Sequence, residues 1–292
     1  MATVDELMDE VDSHVKRLIE TFEFLLKYKI LFRGTGIEFA GLKEYAPGQD
    51  DASKIDWKAS LRTQRLYVKQ YEEERDLDIV VALDSSASMV FGTQDKLKSE
   101  YASIVAGCLA FAGIETGDNV GFVMFNDKLV EFLEPNQDLA QYYHILSLMV
   151  NPDNWGNKCN MSKAIEIMTN NLRSKTALFI ISDFIDLDEK WSDALKMAAA
   201  KFDRVIGIMI RDVRERYWPT GVGYIRFSSP YENRVKTVNV DKKREEFEKE
   251  AEKQEKMIER AFLESKAGFV KIYTNQEFVD PLVKYLEISE LI

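Results

Sequence analysis

One stretch constrains the chain more than any other: Ile79–Met89, IVVALDSSASM, in which a short apolar run ends in Asp84 and passes into Ser85, Ser86, Ala87 and Ser88. A run of this kind, bounded by turn-formers, suits a strand buried on both faces of a parallel sheet. Leu77 to Leu83, Val120 to Phe125, Ala177 to Ile181, Val205 to Ile210 and Phe269 to Tyr273 share the pattern, with helical spacing between most of them. The expected fold is therefore α/β, a doubly wound and mostly parallel sheet. Lys128 to Leu133, after the Asn126-Asp127 turn, is expected to return antiparallel as an edge strand.

In open α/β sheets ligands collect outside the carboxyl ends of the strands, where strand order reverses. The first strand delivers Asp84 to that edge, and the alternation of Asp84, Ser86 and Ser88 lets their oxygens converge while Ser85 and Ala87 turn away. A carboxylate with two hydroxyls is a hard-oxygen set suited to Mg²⁺. The competing reading has Ser86 or Ser88 capping the helix expected over Lys96–Gly113. Ala177 to Ile181 followed by Ser182-Asp183 repeats the geometry and brings a second acid to the same edge. Neighbouring unpaired carboxylates repel, which adds weight to a cation between them. Asp186 and Asp188 are expected to cap the helix that starts near Glu189.

The balance of 39 basic and 50 acidic residues, net −11, argues against nucleic acid or an anionic membrane as a partner. Cys108 and Cys159 fit no zinc spacing, and the isolated His14 and His144 offer little material for a histidine metal site or a Ser-His-Asp triad. There is no apolar run of about 18 residues, and the start, MATVDELMDEVD, lacks the basic and apolar regions of a signal peptide. A soluble, cytoplasmic protein without stable membrane insertion is expected. Residues 1–76 read as an amphipathic helical stretch, Val4 to Leu31, and an extended segment packing on the main domain, residues 77–292. That segment carries the basic series Lys54, Lys58, Arg62, Arg65 and Lys69. An insertion at about 213–266 holds a hairpin, Tyr224 to Phe227 with Arg234 to Val240, and a charged helix over Asp241–Lys266.

With these pieces in order the chain resembles a von Willebrand factor A domain, a Rossmann-type fold, carrying a metal-ion-dependent adhesion site. The D-x-S-x-S of that site is matched by Asp84, Ser86 and Ser88, and its closing acid by Asp183. More closely, Gly36 to Gly92 is similar to the prokaryotic family called domain of unknown function 58. The family's E-F-x-x-L-x-x-Y-x-P-G-D is matched by Glu38-Phe39, Leu42, Tyr45 and Pro47-Gly48, with Gln49 where an acid is usual. Ile55-Asp56-Trp57, Arg62, Leu66 to Lys69 and Glu73 to Asp76 match the motifs that follow. The third loop departs: GNKCNMSKAI places Cys159 where the adhesion site has threonine. A thiol is a soft ligand for Mg²⁺, so Asn160, Ser162 or water would fill the gap.

The resemblance implies a non-enzymatic protein-interaction module. Its site, Asp84, Ser86, Ser88 and Asp183, would hold Mg²⁺ or Mn²⁺ with one open position for an exposed acidic residue of a protein partner. It further implies association with a MoxR-type AAA ATPase and its client, in a chaperone-like role. The chain has no GxxxxGK[ST] loop, so the energy for such work would come from the partner. Two other readings stand beside it. A Mg²⁺-dependent phosphohydrolase would use Asp84 as nucleophile but wants an acid where Ser86 stands, and a metal-free scaffold would bind through Lys54 to Lys69 or the long helix.

Overall fold

The computed structural model describes residues 3–9, 11, 37–46, 55–57, 59–60, 65–73, 78–231 and 235–289. The chain divides into two compact units, Phe24–Asp76 and Met1–Glu23 with Leu77–Ile292. In the smaller unit β1 (Ile37–Glu44) pairs antiparallel with β2 (Tyr67–Glu73), with an irregularity between Phe39 and Gly41. Arg65 reaches Glu44 at 3.5 Å, an exposed pair of little energetic weight. Lys54, Lys58 and Arg62 lie outside the described residues. So does most of the amphipathic stretch from Val4 to Leu31, of which residues 4–9 are helical.

The larger unit is built on β3 (Asp78–Asp84), β4 (Asn119–Phe125), β5 (Leu129–Asn136), β6 (Thr176–Ser182), β7 (Arg204–Arg211) and β10 (Gly268–Tyr273). They lie in the order β10-β7-β6-β3-β4-β5, and all pairings are parallel except that of β5 with β4. The helices are α1 (Lys98–Glu115), α2 (Leu139–Val150), α3 (Met161–Asn171), α4 (Trp191–Lys201), α5 (Val240–Glu264) and α6 (Val279–Ser289). The inserted hairpin is present as β8 (Tyr224–Ser228) and β9 (Val235–Asn239), paired only with each other. The fold is thus the expected α/β, doubly wound sheet.

Every residue of β3 is buried. Val80 and Ala82 join a core with Met161, Ile165 and Met168 of α3, Leu195 of α4, and Ile258 and Phe262 of α5. Ile79, pointing the other way, packs on α1 at Gly113. A strand covered on both faces cannot alternate polar with apolar residues, hence the continuous run in the sequence. α5 is attached through a narrow stripe, and Phe262 fills a slot that a side chain at Gly207 of β7 would overlap. The Phe262 ring meets Phe184 edge-on at 5.4 Å, which steadies the loop just after β6. Among the described residues no helix is long and apolar enough to cross a membrane.

Candidate functional site

Strand order reverses between β3 and β6, so the carboxyl ends of these two strands flank the crevice that a doubly wound sheet leaves open. The register sets Leu83 beside Ile181, and Asp84 therefore meets Ser182. The Ser182 hydroxyl donates to Asp84 Oδ2 at 2.6 Å, and the Ser86 amide donates to Oδ1 at 2.8 Å. Asp183 follows at once: its Oδ1 accepts from the Ile185 amide at 2.9 Å. Both carboxylates are fully buried. Burial first, and the Asp183 charge second, push the Asp84 carboxyl up to about 6.

The two hydroxyls are not used as side-chain caps. Ser86 heads a short 3₁₀ turn, Ala87–Met89, without a side-chain cap, while α1 begins only at Lys98, where Glu100 accepts from the Leu97 amide. The Ser86 and Ser88 hydroxyls instead hydrogen-bond to each other, their oxygens 3.1 Å apart. In an octahedral Mg²⁺ shell with bonds of 2.0–2.1 Å, neighbouring ligand oxygens are separated by about 3 Å, so this pair has the spacing of one edge. Among the described residues no group of three or more His, Cys, Asp or Glu side chains could hold a metal ion. A cation here would depend on the hydroxyls together with Asp84 and Asp183.

The third loop comes to the same place. Its Asn157 carbonyl accepts from the Ala87 amide at 2.8 Å, and the Gly156 amide donates to the Ser85 carbonyl at 2.8 Å. Cys159 is buried with its thiol on the Asp84 side chain, and burial, then Asp84 and Asp183, raise its pKa well above the usual range. Asn160 and Ser162, the expected substitutes, are engaged elsewhere. Asn160 Oδ1 caps α3 at the Lys163 amide and accepts from the Ser162 hydroxyl. Asp188 accepts from the Lys190 amide near the start of α4 and from the Ser162 amide, whereas Asp186 lies in the left-handed region of the loop before it. Three of the four described non-glycine residues with positive φ, Asn157, Phe184 and Asp186, border this site. Such strain persists only where the surroundings enforce it.

Several site residues were not anticipated. Lys98, wholly buried at the start of α1, donates to Asp183 Oδ2 at 2.6 Å and to Glu215 Oε1 at 2.5 Å. Arg211 at the end of β7 donates through Nε to the Asp183 carbonyl at 2.7 Å. Asp212, also buried, accepts from the Thr93 amide and hydroxyl at 2.6 and 2.7 Å. Lys98 thus pairs with both Asp183 and Glu215, while Arg211 holds the Asp183 backbone. The hard oxygens of Asp84, Asp183, Ser86 and Ser88, the two hydroxyls at the spacing of an octahedral edge, fit a divalent ion such as Mg²⁺.

Fold and site together define a doubly wound α/β domain with an acid-and-hydroxyl centre at its switch point. Residues 41–257 match the family described as "Protein of unknown function DUF58", and the chain belongs to that family. It is 24% identical over 289 residues to "Uncharacterized protein Rv1480" of Mycobacterium tuberculosis, covering 94% of this chain and 90% of the relative. The Mycobacterium bovis "Uncharacterized protein Mb1516" matches to the same extent. Among solved structures, the conserved hypothetical protein BatB from Bacteroides thetaiotaomicron is similar at a TM-score of 0.48 and 18% identity, over 74% of this chain and 98% of that one. The SpRpn10 VWA domain is similar at 0.42 and 11% identity, over 70% and 93%. The fold rests on the strand order above rather than on these likenesses.

Proposed function

We propose that the protein is a non-enzymatic interaction module in which Ser86, Ser88, Asp84 and Asp183 hold Mg²⁺ or Mn²⁺ for a partner's acidic side chain. The observation that carries this reading is the pair of buried carboxylates beside two hydroxyls 3.1 Å apart, at the sheet edge where strand order reverses. The bound ion would supply an electrophilic centre with room for one more carboxylate. Asp84 and Asp183, each already accepting hydrogen bonds, would offset its charge, while the hydroxyls bind as neutral oxygens. A MoxR-type AAA ATPase and its client are the partners that the family resemblance suggests for such a module. The phosphohydrolase reading gains no support at Ser86, where that chemistry wants an acid.

Calorimetric titration of Mg²⁺ and Mn²⁺ into the protein, beside an Asp84→Ala control, tests the proposal. Saturable binding that the control loses supports it; partner capture with and without EDTA then asks whether the metal serves recognition. One observation favours a metal-free scaffold instead: the Lys98 ammonium already supplies Asp183 with a buried cation. Absence of binding up to about 10 mM, far above usual free cellular Mg²⁺, would decide for that scaffold.

A further inference from the structure

Tyr231 lies between the two strands of the inserted hairpin, with its amide donating to the Ser229 hydroxyl at 3.2 Å. Its ring packs under the Lys158 ammonium, 5.8 Å from the centroid, so it rests against the loop that carries Cys159. Its phenol oxygen is buried and makes no hydrogen bond of proper geometry, although the Ser88 hydroxyl is within reach and Asp183, Asp84 and Asp186 act on it. A buried hydroxyl without a partner is costly, and native structures keep few of them unless a ligand or water completes the set. Here the group lies beside Ser88, at the centre whose third loop offers a thiol in place of an oxygen.

We propose that Tyr231 belongs to the cation site. Its phenol oxygen, carried in by the β8–β9 hairpin, takes the place left by Cys159 and completes the oxygen shell on the ion or on one of its waters. The inference rests on the metal reading above and extends it: the insertion, which lies outside the alternating strands and helices of the sheet, becomes part of the site. Asn160 and Ser162 are committed to α3, which leaves the phenol as the hydroxyl with free capacity. A purely structural Tyr231 would need its ring against Lys158 and nothing from its oxygen.

Tyr231→Phe separates the two, because it keeps the ring. Mg²⁺ is titrated by calorimetry into the wild type, Tyr231→Phe and Asp84→Ala, and amide hydrogen exchange over residues 224–231 and 235–239 is followed with and without Mg²⁺. The expected result is Mg²⁺ affinity weakened roughly 10- to 100-fold in Tyr231→Phe, the range seen when outer-shell partners of a metal are removed. Mg²⁺ should slow exchange in the hairpin of the wild type but not of the variant. Equal affinity and equal protection in the two proteins would overturn the assignment of Tyr231 and leave the metal site standing. No binding by the wild type would remove both. Matching unfolding curves in EDTA confirm that the variant is folded.

Discussion

Replacing Asp84 by Asn should stabilise the metal-free protein at neutral pH, although it removes the acid on which the site is centred. The buried Asp84 carboxyl titrates near 6 in the folded chain against 3.8 for an ordinary aspartate, mainly through burial and then through Asp183. A raised carboxyl pKa means that the native state holds the proton more tightly than the unfolded state. Its contribution to stability is fully present below about pH 4, is lost as pH rises to about 6, and stays lost above. At about 1.4 kcal/mol per unit, the roughly two units amount to about 3 kcal/mol at pH 7. Asparagine keeps the shape without the charge, but one of its atoms cannot accept from Ser182 or the Ser86 amide, a loss of about 1 kcal/mol. Urea unfolding in EDTA at pH 4, 5, 6 and 7 should therefore show Asp84→Asn more stable than wild type by about 2 kcal/mol at pH 7. The advantage should vanish toward pH 4. A variant no more stable at pH 7, or a difference that does not change with pH, would refute the reasoning.

Lys98→Met leaves Asp183 and Glu215 buried without their cation and should cost about 3–5 kcal/mol in urea unfolding; adding Glu215→Gln should recover part of it. Gly207→Ala drives a methyl into the Phe262 ring and should cost about 1–3 kcal/mol, relieved when Phe262→Leu is combined with it. Cys159→Thr puts a hard oxygen beside Asp84, so Mg²⁺ affinity by calorimetry should rise; an unchanged affinity would mean that position 159 does not face the ion. Both cysteines are buried, so an aromatic disulfide reagent should label neither in the native state and both in urea.

The sheet was legible because burial on both faces turns β3, β4, β6 and β7 into continuous apolar runs. The same logic placed Asp84 and Asp183, since each is the first acid after such a run. It applied equally to Asp212, one residue beyond β7, where the charged pair Arg211-Asp212 reads as the start of an insertion rather than as a third visit to the edge. Lys98 and Glu215 carried no comparable signal. A lysine on the first turn of a helix looks like any solvated charge, and its partners lie 85 and 117 residues away in sequence. Tyr231 was hidden for a similar reason: nothing local to a hairpin says where its tip lands. The start of α1 was expected at Lys96 and lies at Lys98, two residues later, with Glu100 accepting from the Leu97 amide.

The slot at Gly207 also fixes how α5 is clocked. This helix runs for 25 residues and buries only Val240, Ala251, Glu255, Ile258 and Phe262. A stripe so thin would tolerate rotation or a slip along the axis, but the Phe262 ring fits one place on β7, and Arg216 and Tyr273 hold Glu252 and Glu255. With that ring seated, every other side chain on the helix has its bearing set. The solvent face, with pairs such as Lys243–Glu246 and Arg260–Glu264, is then held at one angle to the sheet edge. A sequence can rewrite that charged face freely without altering how it is presented, which makes α5 a rail on which surface charge can change while the core beneath stays in register.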